Sequence, residues 1–132
     1  KFNHTAIPNE PFYFDHHGTR LPEFPLNRLL LQGLYPVYSG SGYFRALPLF
    51  LLKKLFASHP YNLTYFHPRD FDTEVPYTTL LPLYRNVMNR TGNSTTTKKL
   101  GILFEHHRFI TASEAVIQLE AQQDVTVIQV LS

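Results

Sequence analysis

The chain has 132 residues and a mass of 15.3 kDa, which predicts one domain with a single core. A hydrophobic content of 43% with 17% charged residues excludes an intrinsically disordered chain. The net charge is +2 with scattered basic residues, which argues against a nucleic-acid-binding patch, and the lack of cysteine excludes disulfides and thiolate chemistry. The apolar runs are far shorter than the roughly 20 residues of a membrane span.

The N-terminal third is rich in proline and glycine. Residues 1–18 contain two prolines among polar residues and predict an irregular entry segment. Residues 20–26 contain two more prolines, which a central strand would not tolerate, so only an edge strand is compatible with them. Residues 34–38 have a β-type composition and predict a strand. Residues 39–42, Ser-Gly-Ser-Gly, predict a turn with room for a ligand beside it.

The middle of the chain predicts a helix followed by a short strand. Residues 46–58 carry apolar side chains at helical spacing, and Pro48 is tolerated in the first turn. Residues 61–66 combine aromatic and β-forming side chains and predict a short buried strand that ends at His67. Ligands in α/β folds meet the carboxyl ends of strands, so this position makes His67 a candidate functional residue.

The C-terminal part predicts further helices and strands. A weak helical pattern covers residues 80–89, residues 90–97 form a polar linker, and residues 97–107 resume helical spacing.

Residues 109–110 predict a short strand, and Thr111 and Glu114 have the spacing of a capping box before a helix over 113–122. Residues 124–131 alternate in part and favour a closing strand. The resulting order of strands and helices predicts an α/β fold with parallel pairing.

Two segments carry a distinctive motif pair. Residues 39–48 read S-G-S-G-Y-F-R-A-L-P, and residues 65–72 read Y-F-H-P-R-D-F-D. Together they resemble the C-terminal half of one subgroup of bacterial polysaccharide deacetylases, which has a glycine-rich G-Y-F-R-x-x-P segment and then a strand ending in H-P-W-E-[FL]-D. Residues 19–26 and 99–116 extend the similarity, so that it covers most of residues 1–119.

This resemblance implies the C-terminal portion of a distorted (β/α) barrel over residues 1–119, with residues 120–132 as a tail that could form a closing strand. It also implies metal-dependent removal of acetyl groups from N-acetylated polysaccharides, with zinc as the expected divalent metal. The family's metal ligands lie in its N-terminal half, whose motifs this sequence does not contain. We therefore expect a processed or partial chain whose partners are the sugar and an N-terminal half of the same barrel. The bacterial cytoplasm and the cell envelope are both compatible with it.

The resemblance also assigns roles to individual residues. His67 matches the late histidine that protonates the leaving amine, and an imidazole titrates near neutrality, as a general acid should. Asp70 is a candidate for orienting His67 or binding a sugar hydroxyl, with a solvated or capping carboxylate as its alternative. Arg45 is a candidate for binding a carboxylate of the substrate or of the missing half, with a surface arginine at the start of a helix as its alternative. Tyr43 is a candidate for stacking on a sugar ring, with core packing as its alternative. Arg69 replaces an aromatic residue of the subgroup, which leaves the preferred sugar open.

Two histidine pairs, His16-His17 and His106-His107, invite a metal interpretation. Neighbouring residues point to different sides of a strand or helix, so one pair cannot chelate one ion. We therefore expect no metal ligands in this chain.

Two other functions fit the same sequence. The first is a non-catalytic carbohydrate-binding or barrel-completing module that lacks the metal site. The second is a small α/β domain with a structural role, in which case the motif similarity is coincidental. Metal-binding motifs upstream of Lys1 would favour the enzyme, whereas a stable monomer with a buried His67 would favour the structural domain.

Overall fold

A computed structural model describes residues 8–29 and 36–129 of the chain. Residue contacts separate two compact units. A terminal unit combines Lys1–Leu26 with Phe109–Ser132, and a central unit consists of Asn27–Arg108. This differs from the single core expected from chain length, because the sheet is built from the two ends of the chain while the middle packs around its own apolar cluster.

The terminal unit contains a three-stranded sheet with the strand order β2-β1-β3. The strands are β1 (Phe12–His16), β2 (Thr19–Glu23) and β3 (Val127–Gln129). β1 pairs antiparallel with β2 and parallel with β3, so the expected parallel pairing applies to one of the two pairs. The fold is therefore mixed α/β. β3 lies within the segment for which alternation favours a closing strand, and residues 130–132 lie outside the described part.

The prediction of an irregular entry segment is wrong for β1. Both prolines of residues 1–18 precede this strand, so neither interrupts its hydrogen bonds, and Phe12 and Tyr13 are buried. The expected edge strand is confirmed in β2, where Pro22 lies opposite Tyr13. A tight turn joins the two strands, and the Gly18 backbone N–H donates to a carboxylate oxygen of Asp15 at 3.0 Å.

One helix, α5 (Ala112–Glu120), completes the regular structure of the terminal unit. The predicted capping box is confirmed. The hydroxyl of Thr111 accepts from the Glu114 backbone N–H at 3.2 Å, and the Glu114 carboxylate accepts from the Thr111 backbone N–H at 2.8 Å. The strand predicted for residues 109–110 does not form, since both side chains are exposed and no neighbouring strand pairs with them in the described part.

The central unit begins with two helices, α1 (Ser41–Ala46) and α2 (Leu49–Ala57). Residues 39–42, predicted as a turn, lead directly into α1, because the Gly40 carbonyl accepts from the backbone N–H of the buried Phe44 at 3.4 Å. The predicted helix over residues 46–58 is confirmed in α2, and Pro48 precedes its first residue. Five buried side chains form the core of this unit: Tyr38, Phe44, Leu52, Phe56 and Leu103.

Two more helices follow, α3 (Leu83–Arg90) and α4 (Asn93–His106). The helix predicted for residues 80–89 is confirmed in α3, and that for residues 97–107 in α4. The polar linker predicted over residues 90–97 shrinks to residues 91–92, because Arg90 is the last residue of α3 and α4 already begins at Asn93. Asn93 and Thr96 are buried, and Nδ2 of Asn93 donates to the carbonyls of Arg69 at 2.9 Å and Asp72 at 2.6 Å, so tertiary contacts outweigh the weak helical propensity of this polar run.

The two remaining strand predictions reduce to isolated bridges. Residues 61–66 form no strand, although Tyr65 makes one parallel bridge with Gly40. Residues 34–35 of the strand predicted over 34–38 lie outside the described part, and Val37 makes one antiparallel bridge with Arg28. No helix of the described part is long and apolar enough to cross a membrane.

Candidate functional site

The candidate site lies at the end of an extended segment in the central unit. Tyr65 is 37% exposed, Phe66 packs against the core with its ring centroid 4.9 Å from that of Phe44, and His67 is exposed. Side chains alternate along an extended chain, so Tyr65 and His67 project to the same side. Their rings meet edge to face, with centroids 5.7 Å apart. The core therefore holds this segment through Phe66 and leaves the His67 imidazole open to solvent.

A short 3₁₀ turn, Pro68–Asp70, fixes the backbone immediately after His67. The His67 backbone N–H donates to Oδ2 of Asp70 at 2.8 Å, and the Asp70 backbone N–H donates to the His67 carbonyl at 2.9 Å. Proline also restricts the residue before it to extended conformations, and His67 has φ −97° and ψ 152°. Local sequence thus determines the backbone conformation from which the imidazole projects.

The carboxylate of Asp70 is fully buried. Its Oδ1 lies 3.2 Å from Nε of Arg45 and 3.4 Å from the Ser41 hydroxyl, which donates to it. The contact with Arg45 is an ion pair in which Nε–H does not have the alignment of a hydrogen bond. The pair links the G-Y-F-R segment on α1 to the H-P-R-D segment, the two motifs that the sequence singles out.

The guanidinium of Arg45 also ties α1 to the connection between α3 and α4. Its Nη1 donates to the carbonyls of Asn89 at 3.1 Å and Thr91 at 3.0 Å and to the side-chain oxygen of Asn93. Its Nη2 donates to the Met88 carbonyl at 3.1 Å. These contacts satisfy backbone carbonyls at the end of α3, so Arg45 acts as a buried structural link.

The side chain of Asn93 joins Arg45 to the loop that follows His67. While its oxygen accepts from Arg45, its Nδ2 donates to the carbonyls of Arg69 at 2.9 Å and Asp72 at 2.6 Å. The preceding Gly92 has φ +76°, and a Cβ there would lie 2.3 Å from the Arg45 carbonyl oxygen. The sequence gives Asn93 no role because it lies in an apparent linker, and the available signal is Gly92, a glycine three residues after the helix predicted over 80–89.

A lysine completes the support of α1. Lys99 donates from Nζ to the carbonyls of Arg45 at 2.6 Å and Leu47 at 2.8 Å, at the C-terminal end of that helix. A cation at this end interacts favourably with the helix dipole. Burial lowers the pKa of Lys99 from its usual value. The helix that carries Arg45 is therefore held at its end by a side chain of α4.

The structure brings three of the four predicted site residues together: His67, Asp70 and Arg45. Asp70 acts on the backbone of His67, in line with the expected orienting role. Arg45 and Asp70 are buried, with 4% and 0% of their surface exposed, so neither side chain is accessible to a sugar in this conformation. Their substrate-binding roles stay predictions. Tyr43 is 51% exposed on α1, while its neighbour Phe44 is the residue that packs in the core.

The histidine pairs form no ligand set. Among residues 8–29 and 36–129, no group of three His, Asp or Glu side chains is placed to hold a metal ion. The rings of His16 and His17 contact each other with centroids 4.3 Å apart. In the other pair, His106 contacts the Ile102 carbonyl through Nδ1 at 2.8 Å, and the ring of His107 lies beside that of Phe56.

Comparison with known proteins gives one family. Neither the curated proteins nor the solved structures yield a match. The family described as "Domain of unknown function (DUF3473)" matches residues 3–117, and it is associated with the C-terminal part of polysaccharide deacetylases. The match includes both motifs and every residue of the candidate site. The chain therefore belongs to the DUF3473 family.

Proposed function

We propose that this chain is the C-terminal part of a metal-dependent polysaccharide N-deacetylase, in which His67 is the general acid. One observation carries the proposal. His67 keeps an exposed imidazole, whereas its backbone N–H is held by a buried carboxylate that is itself paired with Arg45. A proton donor needs access to substrate and a well-defined position, and an accessible imidazole on a fixed backbone segment suits that role.

The chemistry assigned to His67 is one proton transfer. Hydrolysis of an N-acetyl group breaks the bond between the carbonyl carbon and nitrogen, and the oxygen of water becomes part of the released acetate. The amine leaves readily only if its nitrogen receives a proton as the bond breaks. The imidazolium of His67 donates that proton from a ring nitrogen within hydrogen-bond reach of the leaving nitrogen.

The described residues do not fit a metal site, because no three potential ligands converge among them. We assign the ligands of a zinc or similar divalent ion to another part of a distorted (β/α) barrel, of which this chain would be the C-terminal portion. The mixed α/β fold is compatible with such a portion. The role of this chain is then confined to His67 and the residues that fix its loop.

The test uses the polypeptide that carries both this domain and the metal-binding half, supplied with Zn²⁺ or Co²⁺. Acetate release from N-acetylglucosamine oligosaccharides is measured for the parent protein, for His67→Ala and for His106→Ala as a matched exposed histidine. We expect His67→Ala to lower kcat by about 10²- to 10⁴-fold with little change in KM, since protonation belongs to the transition state. His106→Ala should leave both constants unchanged.

Normal turnover by His67→Ala would refute the assignment of the general acid. A polypeptide that binds the oligosaccharide but never releases acetate would instead favour the non-catalytic carbohydrate-binding module.

A further inference from the structure

We propose that Tyr65 is a sugar-binding residue that stacks on the pyranose ring carrying the N-acetyl group. This inference rests on the proposed function of His67. The position of Tyr65 supports a contact with the sugar, because Tyr65 lies two residues before His67 on an extended segment and projects to the same side.

The ring of Tyr65 is held in place by the chain beside it. Gly40 makes a parallel bridge with Tyr65, and the Ser41 backbone N–H donates to the Tyr65 carbonyl at 3.3 Å. A Cβ on Gly40 would lie 2.7 Å from Cδ1 and 2.9 Å from Cε1 of the tyrosine ring. The absence of a side chain at position 40 therefore lets the ring lie directly against the backbone.

A second contact orients the ring relative to the proposed acid. The planes of the Tyr65 and His67 rings are nearly perpendicular, at 89°, with centroids 5.7 Å apart. An edge-to-face pair of this kind is favourable, and it places part of the Tyr65 ring at the same solvent-facing surface as the imidazole. With 37% of its surface exposed, Tyr65 retains area for a ligand.

The exposed part of the Tyr65 ring is chemically suited to packing against a sugar ring. A pyranose has C–H groups on its faces and hydroxyl groups around its edge, so one face can pack on an aromatic ring while the edge stays hydrated. The leaving nitrogen is bonded directly to the pyranose. When this nitrogen is within hydrogen-bond reach of His67, the sugar ring itself is close to the neighbouring phenol ring.

The experiment separates binding from turnover. In the same complete polypeptide, kinetic constants for N-acetylglucosamine oligosaccharides are compared for Tyr65→Leu, Tyr65→Phe and Tyr84→Leu, a matched exposed tyrosine on α3. Tyr65→Leu should raise KM by about 5- to 10-fold, the size expected for a lost aromatic contact, and change kcat less than twofold. Tyr65→Phe, which keeps the ring, and Tyr84→Leu should stay within twofold of the parent.

A binding measurement makes the result independent of catalysis. The dissociation constant of the oligosaccharide is measured by titration in the His67→Ala background, and Tyr65→Leu should weaken it by the same 5- to 10-fold. Thermal melting curves verify that each variant is folded; if Tyr65→Leu is not, Tyr65→Met takes its place. An unchanged dissociation constant, or a fall in kcat alone, would overturn the proposal, because Tyr65 would then only position His67. If acetate release does not depend on His67 but the dissociation constant depends on Tyr65, the proposed acid fails and the sugar-binding residue stands.

Discussion

The carboxylate of Asp70 and the guanidinium of Arg45 form a buried ion pair, with 0% and 3% of their side chains exposed and a closest distance of 3.2 Å. The two residues belong to different motifs, and the pair fixes one motif against the other. Removing one partner of such a pair leaves an uncompensated charge without water, which costs much more than the pair contributes relative to apolar packing. The first two predictions follow from this asymmetry.

Asp70→Asn should destabilise the protein by about 3 kcal/mol, because the Arg45 guanidinium remains buried without its counter-charge. The measurement is the free energy of unfolding from urea denaturation. Asp72→Asn is the matched control, since Asp72 is exposed and lies in the same loop. Equal stability of the two variants would show that the ion pair does not hold the loop.

Arg45→Lys should destabilise the protein by about 2 kcal/mol or more even though the charge is kept. An ammonium group offers three donors from one atom and cannot reach carbonyls on several sides, so some carbonyls at the end of α3 lose their donor. Arg69→Lys, on the exposed side of the same region, should be neutral. Denaturation curves of the two variants test the difference, and a neutral Arg45→Lys would contradict it.

Two glycines should respond to alanine with opposite signs. Gly92→Ala should destabilise by about 2 kcal/mol or more, because it combines a positive φ with a clash against the Arg45 carbonyl. Gly101→Ala should stabilise by about 0.5–1 kcal/mol, since Gly101 lies inside α4 with open space around it. Thermal or urea unfolding gives both values, and equal signs would rule out the proposed backbone arrangement at residue 92.

Stability should fall at alkaline pH because of Tyr38. Burial raises the pKa of this tyrosine from 10.0 to about 12, and its hydroxyl donates to the Asn62 side chain at 2.9 Å. Above pH 10 the unfolded chain releases the Tyr38 proton while the folded chain keeps it, so this group lowers the free energy of unfolding between pH 10 and about pH 12 and does not change it at lower pH. Burial also raises the pKa of Tyr61, which adds to the same decrease. Tyr38→Phe should lessen this decrease between pH 9 and pH 11. Tyr77→Phe, at an exposed position, should not change it.

Local signals account for the part of the fold that the sequence predicts correctly. The apolar spacing of α2, the capping box of α5 and the proline-containing edge strand β2 depend on neighbouring residues alone. β1 was not predicted because Pro8 and Pro11 precede it among polar residues, and one of its two partners, β3, lies near the opposite end of the chain. The start of α4 depends on the side chain of Asn93, which bonds to residues distant in sequence.

In the candidate site, too, the features that local sequence encodes were predicted and those that depend on tertiary packing were not. His67 was found from its place after an apparent strand and from the motif around it, and the structure leaves it exposed. The pairing of Arg45 with Asp70 requires knowing how α1 lies against the 3₁₀ turn, which no local pattern encodes. The residue type of Tyr65 predicts a strand former and nothing more. Its exposed position depends on the contacts with Gly40 and His67, which its own residue type does not encode.

The contact between Gly40 and Tyr65 sets a limit on mutational tolerance. Gly40 has φ −166°, an extended conformation open to any residue, so only the space taken by Tyr65 excludes a side chain there. Two residues later, a Cβ on Gly42 would meet nothing closer than 3.8 Å. In a saturation mutagenesis library selected for folded protein, codons other than glycine should disappear at position 40 and persist at position 42. The two glycines of this segment are thus under different constraints, and only the constraint on Gly40 is connected to the surface beside His67.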